Sequence, residues 1–452
     1  MIDSHDIIVA PATAAGGALS VVRISGQGAI ELCDRIFRGR HPLNEAPGHT
    51  LHYGTVVDGT ETVDDVVAAL FRAPRSYTGD DTVELSCHGS RYILQRILDL
   101  CIRQGARMAT AGEFTARAFL AGRMDLSQAE AVADTIAAES RAAHALASSQ
   151  MRGAYAEKLG SLREGLLRLV SLLELELDFS EEDVEFADRP TLRSQMERIE
   201  QEIARLNESF TLGNALKEGV AVVIVGRPNV GKSTLMNRLV GDQRAMVSEI
   251  AGTTRDTIEE CVNIDGVLFR FIDTAGLHQT EDRLEQMGIE RTQQAIGRAR
   301  VLLHLLDASS PNDPETAPDL LSAASSPGQY RLTVVNKTDS AAPGFRIPQD
   351  AIGISAKNGT GIDELLRRLR RTVDTTGLYT GDAIVSNSRH AEALRLSGDA
   401  LRRALQALDA GLPTDLLCEE LRQVLHHLGT ITGQITSDDI LANIFSKFCI
   451  GK

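Results

Sequence analysis

The sequence predicts a multidomain α/β chain. It reads as an N-terminal α+β unit, a discontinuous helical bundle, and a doubly wound α/β domain inserted into that bundle. Three observations carry this expectation. Helical spacing of apolar residues sets in at Asp125 and returns after Gly381, and neither helical half looks complete alone. Between them, short apolar runs alternate with helix-like segments. The first run ends in Gly226-Arg-Pro-Asn-Val-Gly231-Lys232-Ser233, a glycine loop between a strand and a helix.

Residues 1–122 form the first segment. Apolar, β-rich runs occur at Ile7–Ala12, Ala18–Ser25, His52–Val57, Asp64–Phe71 and Asp81–Cys87, with one helix-like stretch at Arg91–Arg103. Strands outnumber helices, and no βαβ repeat is visible. Residues 123–216 are the first part of the helical domain. Asp125 followed by Gln128 resembles a capping box, and the helical pattern then runs on to Leu173. The acidic stretch Glu174–Asp188 and Pro190 break it, and a second helix follows over about Thr191–Leu212. Residues 217–380 hold the strand-like runs Ala221–Gly226, Val267–Asp273, Val301–Asp307, Leu332–Asn336 and Ala351–Ser355. Residues 381–452 return to helix at His390–Leu408, Thr414–Leu428 and Ser437–Phe448.

Composition bounds the function. The 452 residues suit about three domains. No run of about 18 apolar residues exists, so no membrane span is expected. The start MIDSHDIIVAPATAAGG has no basic stretch leading into an apolar core, so no signal peptide is expected either. Cys33, Cys87, Cys101, Cys261, Cys418 and Cys449 form no CxxC pair, which argues against a zinc ribbon or a disulfide framework and fits a cytoplasmic protein. A net charge of −15, no Trp and 4% aromatics disfavour a large electrostatic or stacking grip on nucleic acid.

Four motifs carry the chemistry. In the glycine loop, backbone N–H groups can turn onto phosphate oxygens. Lys232 supplies a charge to the β- and γ-phosphates, and Ser233 can ligate Mg²⁺. Asp273-Thr274-Ala275-Gly276 ends the next strand run and places an acid near Mg²⁺ and a glycine N–H near the γ-phosphate. Asn336-Lys337-Thr338-Asp339 follows another strand. The Asp339 carboxylate can accept both guanine N1–H and N2–H₂, which adenine cannot offer. Ser355-Ala356-Lys357 ends a third strand and can give a backbone N–H to guanine O6. Together they specify a GTP site at the carboxyl ends of strands. Gly226, Asn229, Val230, Gly231, Lys232, Ser233 and Thr234 are its phosphate-side candidates. Leu277 stands where small signalling GTPases place a water-orienting Gln, so another group must orient water. Gly252-Thr253-Thr254-Arg255-Asp256 supplies Thr254 as the second Mg²⁺ ligand. Arg255 reads equally as an arginine finger or as a solvated arginine.

These motifs, together with SYTGDDTVEL, GEFTARAFL and the C-terminal IFSKFCIGK, resemble the MnmE (TrmE) family of tRNA-modification GTPases over the whole chain. The resemblance implies a P-loop GTPase domain and an N-terminal domain that binds folate and dimerises. It implies that Asn229 ligates K⁺, with Ser248, Ile250 and Thr253 on the loop that closes over the ion. K⁺ then stands where an arginine finger would. The family's water-orienting acid aligns with Glu285, which joins Lys232 and Thr254 as catalytic candidates; by itself Glu285 reads as a solvated helix carboxylate. Arg23, Glu84, Arg123 and Lys452 match the positions that bind 5-formyl-tetrahydrofolate (or methylene-tetrahydrofolate). Cys449 is either a relay thiol or a packed tail residue. The sequence departs from the family at Arg123, where Lys is frequent, and at Ala14-Ala15, where Pro-Pro or Pro-Gly is usual.

The resemblance further implies a homodimer that joins the flavoprotein MnmG (GidA) in a heterotetramer. That complex would build a carboxymethylaminomethyl or aminomethyl group on C5 of the wobble uridine. Residues 1–122 carry 11 Lys and Arg against 14 Asp and Glu, so this chain alone is expected to hold tRNA weakly and mainly through the complex. Two other readings stand beside this one. In the first, GTP controls docking on a ribosome or RNA without modification chemistry. In the second, the helical bundle self-assembles under GTP control.

Overall fold

The computed structural model describes residues 6–178, 188–242, 259–273, 294–297, 299–310, 329–380 and 382–452. By internal contacts the chain divides into two compact units, Met1–Ala133 with His426–Lys452, and Asp134–Leu425.

In the first unit the strands are β1 (Ile8–Pro11), β2 (Leu19–Ser25), β3 (Phe37–Gly39), β4 (Thr50–Asp58), β5 (Glu61–Phe71), β6 (Thr82–His88) and β7 (Arg107–Met108). They form one sheet in the order β3-β4-β5-β6-β2-β1-β7. Helices α1 (Ala29–Ile36) and α2 (Arg91–Arg103) bury Ile30, Leu94, Ile97 and Cys101 against one face. The strands alternate accordingly. Val66, Ala68 and Leu70 of β5 point into this core, while Val67 between them is 37% exposed. On the opposite face, α3 (Glu113–Leu120) brings Phe114 onto Ile8 and Ala10. The β4–β5 half of that face stays open, with Leu51 72% and Tyr53 70% exposed.

Helix α4 (Leu126–Ala137) starts from the expected capping box. Gln128 N–H donates to Asp125 Oδ1 at 2.8 Å, and Asp125 N–H donates to Gln128 Oε1 at 3.0 Å. The helical pattern expected as one run to Leu173 is three helices: α4, α5 (Arg141–Met151) and α6 (Ala154–Asp178). Ser140 breaks it first, as an extended N-cap whose Oγ accepts from Ala143 N–H. Gly153, at φ +92°, breaks it again.

In the second unit, α7 (Arg189–Glu218) packs along α6 and, more extensively, along the Ala-rich face of a later helix. It delivers the chain to β8 (Val220–Gly226), followed by α8 (Lys232–Asp242), β9 (Glu259–Ile264), β10 (Val267–Asp273), β11 (Val301–Asp307), β12 (Tyr330–Asn336) and β13 (Ile352–Gly353). The sheet order is β13-β12-β11-β8-β10-β9, parallel except for β9, which pairs antiparallel with β10. Strand β9 was not read from the sequence. Its Glu259-Glu260-Cys261-Val262-Asn263-Ile264 carries only an edge strand's partial apolar alternation. Strand order reverses at β8, so a ligand crevice is expected at its carboxyl end. Helices α9 (Ile362–Arg371) and α10 (Thr376–Thr380) complete the domain, and α11 (Ser388–Asp409) and α12 (Thr414–Thr432) return to the bundle. The Ala-rich helix packed on α7 is α11, with Ala393, Ala400 and Ala404 buried.

The last helix, α13 (Asp438–Phe445), belongs to the first unit. Ile444, Phe445 and Phe448 pack with Ala116 of α3 and Leu126 and Ala129 of α4.

Candidate functional site

In the second unit, the loop between β8 and α8 gathers the phosphate-side candidates. Asn229 and Gly231 hold left-handed backbones, φ +63° and +101°. A Cβ at Gly231 would lie 2.3 Å from Asn336 Nδ2, so only glycine fits there. Lys232 opens α8 and is 8% exposed; its Nζ donates to Gly226 O at 2.6 Å and Arg227 O at 3.2 Å. The ammonium is thereby held over the loop. Ser233 and Thr234 follow it, exposed, in the first helical turn, and Asn229 is exposed on the loop. First-turn amides have no intrahelical acceptor, which makes this helix end a seat for an anion.

The guanine-side candidates are stitched to that loop. Asn336, at the end of β12 and 3% exposed, donates from Nδ2 to Val230 O at 2.8 Å and accepts on Oδ1 from Ala356 N–H at 3.0 Å. One amide therefore ties together the phosphate loop, β12 and the Ser355-Ala356-Lys357 turn. Lys337 sits at φ +61° with its Nζ 2.6 Å from Asp307 Oδ2. Burial pushes the Asp307 carboxyl up, but hydrogen bonds from Lys337 and Ser309 outweigh it and hold the group below its ordinary value. Asp307 escaped the sequence reading, because its only signal is an acid closing an apolar strand. Ser355 is buried, whereas Asp339 and Lys357 are exposed beside it.

Asp273 ends β10, paired in register with Ile224 of β8. The remaining candidates, Ser248, Ile250, Gly252, Thr253, Thr254, Arg255, Thr274, Ala275, Gly276, Leu277 and Glu285, lie outside the described residues.

In the first unit, Arg23 and Glu84 are register partners on β2 and β6, with Arg23 Nε donating to Glu84 Oε1 at 2.8 Å. Arg23 Nη1 also donates to Gly451 O at 3.1 Å. Its guanidinium lies 5.5 Å from the Tyr77 ring and 5.6 Å from the Phe114 ring. The C-terminal tail is fastened here. Ile450 bridges to Ala111, and a Cβ on Gly451 (φ +97°) would fall 2.1 Å from Pro11 O. Lys452 is half-buried just beyond it, and Cys449 is exposed. The Arg123 stem runs beside Gly79, two residues from Tyr77. The fold thus brings Arg23, Glu84 and the tail into direct contact, with Arg123 on the neighbouring loop. Tyr77 and Phe114 were not singled out from sequence, and Gly451 was noted only as part of the C-terminal IFSKFCIGK segment. Single aromatics carry no spacing signal, although Tyr77 and Phe114 lie inside the quoted SYTGDDTVEL and GEFTARAFL segments.

Comparison with known proteins matches nearly the whole chain to two family models. The family model "GTP-binding protein TrmE N-terminus" matches residues 7–123, and "MnmE helical domain" matches residues 126–449. The chain is 47% identical over 471 residues to the tRNA modification GTPase MnmE of Christiangramia forsetii, covering 99% of each chain. It is 48% identical over 468 residues to the protein of the same name from Porphyromonas gingivalis, covering 99% of this chain and 98% of that one. A crystal structure of Aquifex aeolicus Era bound to GDP and AlF4⁻ is 28% identical over 40% of this chain and 66% of that chain, at a TM-score of 0.28, a superposition too loose to bear on the fold.

Proposed function

We propose, from the premise that this chain belongs to the MnmE (TrmE) family of tRNA-modification GTPases, that its GTP hydrolysis depends on potassium and serves a folate-dependent modification of the wobble uridine. The observation that carries the nucleotide half is Asn336, whose two hydrogen bonds lock the phosphate loop to the base-reading turn. GTP fits the residues present. The absence of a side chain at Gly231 lets Asn336 Nδ2 close onto the loop, and the Lys232 ammonium and the α8 amides would meet the phosphates. Ser233 and Thr254 would hold Mg²⁺. Asn229 would ligate K⁺ with Ser248, Ile250 and Thr253, and the ion would neutralise charge that develops between the β- and γ-phosphates. Glu285 would orient the attacking water in place of the absent Gln.

Asn229 supports the potassium reading because it is exposed on the loop in a left-handed conformation, with its side chain uncommitted to the core. GTP turnover in KCl is expected to exceed turnover in NaCl at equal ionic strength by at least about tenfold, and Asn229→Ala is expected to erase the difference. Equal rates in the two salts would remove the potassium assignment while leaving GTP binding intact.

For the folate half, the support is the Arg23–Glu84 pair, with the Arg23 guanidinium beside the Tyr77 and Phe114 rings. A carboxylate can pair with the amino-pyrimidinone edge of a pterin, and basic groups suit the glutamate tail. Bound folate would supply the one-carbon unit; Arg23, Glu84, Arg123 and Lys452 would orient it. Losing a charged hydrogen-bond donor costs about 1.5–3 kcal/mol, so Arg23→Ala should weaken 5-formyl-tetrahydrofolate uptake in equilibrium dialysis by roughly 10- to 100-fold. An unchanged isotherm would dismiss this site.

The homodimer reading rests on the open sheet face. Leu51, Ala69, Glu84 and Arg23 form one row across β4, β5, β6 and β2, so exposed Leu51 and Tyr53 continue the surface on which the ion pair sits. A second copy would cover both. MnmG (GidA) would then join to form the heterotetramer and bring most of the basic surface for tRNA. No helix among the described residues is long and apolar enough to cross a membrane, and we place the protein in the cytoplasm.

A further inference from the structure

The β9–β10 hairpin runs from the nucleotide pocket to the helical region, where its turn contacts α5. At its pocket end, β10 finishes on Asp273, the first residue of Asp273-Thr-Ala-Gly276, and β9 begins five residues after Thr254. In the sequence, both motifs expected to meet the nucleotide therefore feed into one hairpin. Its far end is the two-residue turn Asp265-Gly266, with φ +48° and +81°. That turn meets the N-terminus of α5. Gly266 O accepts from Ala142 N–H at 2.9 Å, and a Cβ on Gly266 would lie 3.1 Å from Arg141 Cβ.

The contact completes α5. Of its first-turn amides, Ala143 N–H is capped by the helix's own Ser140 Oγ at 3.1 Å, but Ala142 N–H is capped by the hairpin. Ala142 and Leu146 share one core with Val262, Ile264, Val267 and Phe269 of the hairpin. At the other end of α5, Gln150 Nε2 donates to Ile384 O at 2.8 Å and Ser386 Oγ at 3.2 Å, on the segment by which the chain leaves the nucleotide domain. Beside the joint lies a cleft of about 190 Å³, lined by Ala143 and Leu146 of α5, Lys217 of α7, Leu268 of β10 and Ser386.

We propose that the Asp265–Gly266 turn carries the state of the bound nucleotide to the helical region, with α5 as the receiving element. A hydrogen-bonded strand is stiff along its axis. At about 3.3 Å per residue, β10 spans roughly 23 Å, so a displacement at Asp273 reaches Gly266 as a displacement of the same strand. Such coupling is reciprocal, and couplings between sites commonly amount to about 5- to 150-fold in an equilibrium.

The test is hydrogen exchange in the full-length chain, comparing the α5 segment Arg141–Met151 bound to GDP and to a non-hydrolysable GTP analogue, alongside GTP turnover. Protection of α5 is expected to differ about tenfold between the two nucleotides. Ala142→Pro removes the donor at a helix position that tolerates proline, and Gly266→Ala crowds Arg141. Each should abolish the nucleotide difference while turnover stays within about twofold of the parent. Ser140→Ala removes the helix's own cap but not the hairpin contact, so it should lower protection equally with both nucleotides and keep the difference. Identical α5 exchange in the two nucleotide states of the parent overturns the proposal. So does loss of the difference in Ser140→Ala, which would mark the contact as merely structural.

Discussion

Gly231→Ala is expected to weaken guanine-nucleotide binding by at least about a hundredfold, because one added carbon attacks the site twice. The residue sits at φ +101°, where an L side chain costs about 1–2 kcal/mol. The new Cβ would also stand 2.3 Å from Asn336 Nδ2. That atom is not the loose end of a surface side chain. It is 3% exposed with its residue and bound to Val230 O, while Oδ1 of the same amide holds Ala356 N–H. Moving Asn336 strands buried polar groups, at about 1–3 kcal/mol each, and separates the phosphate loop from the Ser355-Ala356-Lys357 turn proposed to read the base. Gly241→Ala is the matched control. It lies in α8 of the same domain, and a Cβ there meets nothing within 4 Å. That change should leave affinity untouched and stabilise the helix by about 0.5–1 kcal/mol. Titration of a fluorescent GDP analogue reads both. Near-parental affinity in Gly231→Ala would mean that the Asn336 bridge does not organise the pocket.

The contrast between these two glycines shows what the sequence could convey. That Gly231 belongs to a phosphate loop is legible from its neighbours, since a strand, a glycine loop and a helix occur in immediate succession. That Asn336, 105 residues later, fills the space its side chain would need is tertiary and left no local trace. The same split recurs elsewhere. Strands buried on both faces, such as Val301–Asp307, read directly as apolar runs, whereas the edge strand β9 did not. Helix α1 hid behind Gly26-Gln-Gly28, because two glycines suggest a turn and Gly28 is in fact its left-handed N-cap. The breaks at Ser140 and Gly153 hid in an Ala-rich pattern that stays helical on both sides. In the N-terminal unit, Arg23 and Glu84 were named from family resemblance. Only the antiparallel register of β2 with β6 explains why residues 61 apart form an ion pair.

The largest stability effect is expected at a buried ion cluster that the sequence reading did not assign, although its Glu113 and Arg117 lie inside the quoted GEFTARAFL segment. Glu113 opens α3 with a side chain only 2% exposed. It accepts from Arg107 Nη2 at 2.6 Å, Arg117 Nη2 at 3.0 Å, and both Thr110 N–H and Thr110 Oγ1. Arg117, 1% exposed, also binds the Asp6 carboxylate and donates to Asp6 O at 2.7 Å. The cluster therefore pins the segment entering β1, the loop after β7 and the start of α3 to one another. Removing one partner of such a buried network leaves the others desolvated and uncompensated, at about 3–5 kcal/mol. Glu113→Ala should lower the stability of the N-terminal unit by that amount, read as hydrogen exchange of α3 against urea. The pH dependence follows from the same contacts. Burial pushes the Glu113 carboxyl up, but the bonds from Arg107, Thr110 and Arg117 outweigh it and hold the group at about 2, against 4.5 when unfolded. A depressed carboxyl contributes fully above the unfolded value and loses its contribution as pH falls through the folded one. The gap between parent and Glu113→Ala should thus be constant from pH 7 to about 5 and then narrow toward pH 2, because the parent alone takes up this proton on unfolding. Asp6, also held below its ordinary value by Arg107 and Arg117 against the cost of burial, remains in both proteins and cancels to first order. A gap that stays constant down to pH 2 would show that the Glu113 carboxylate is not what holds α3 to β1.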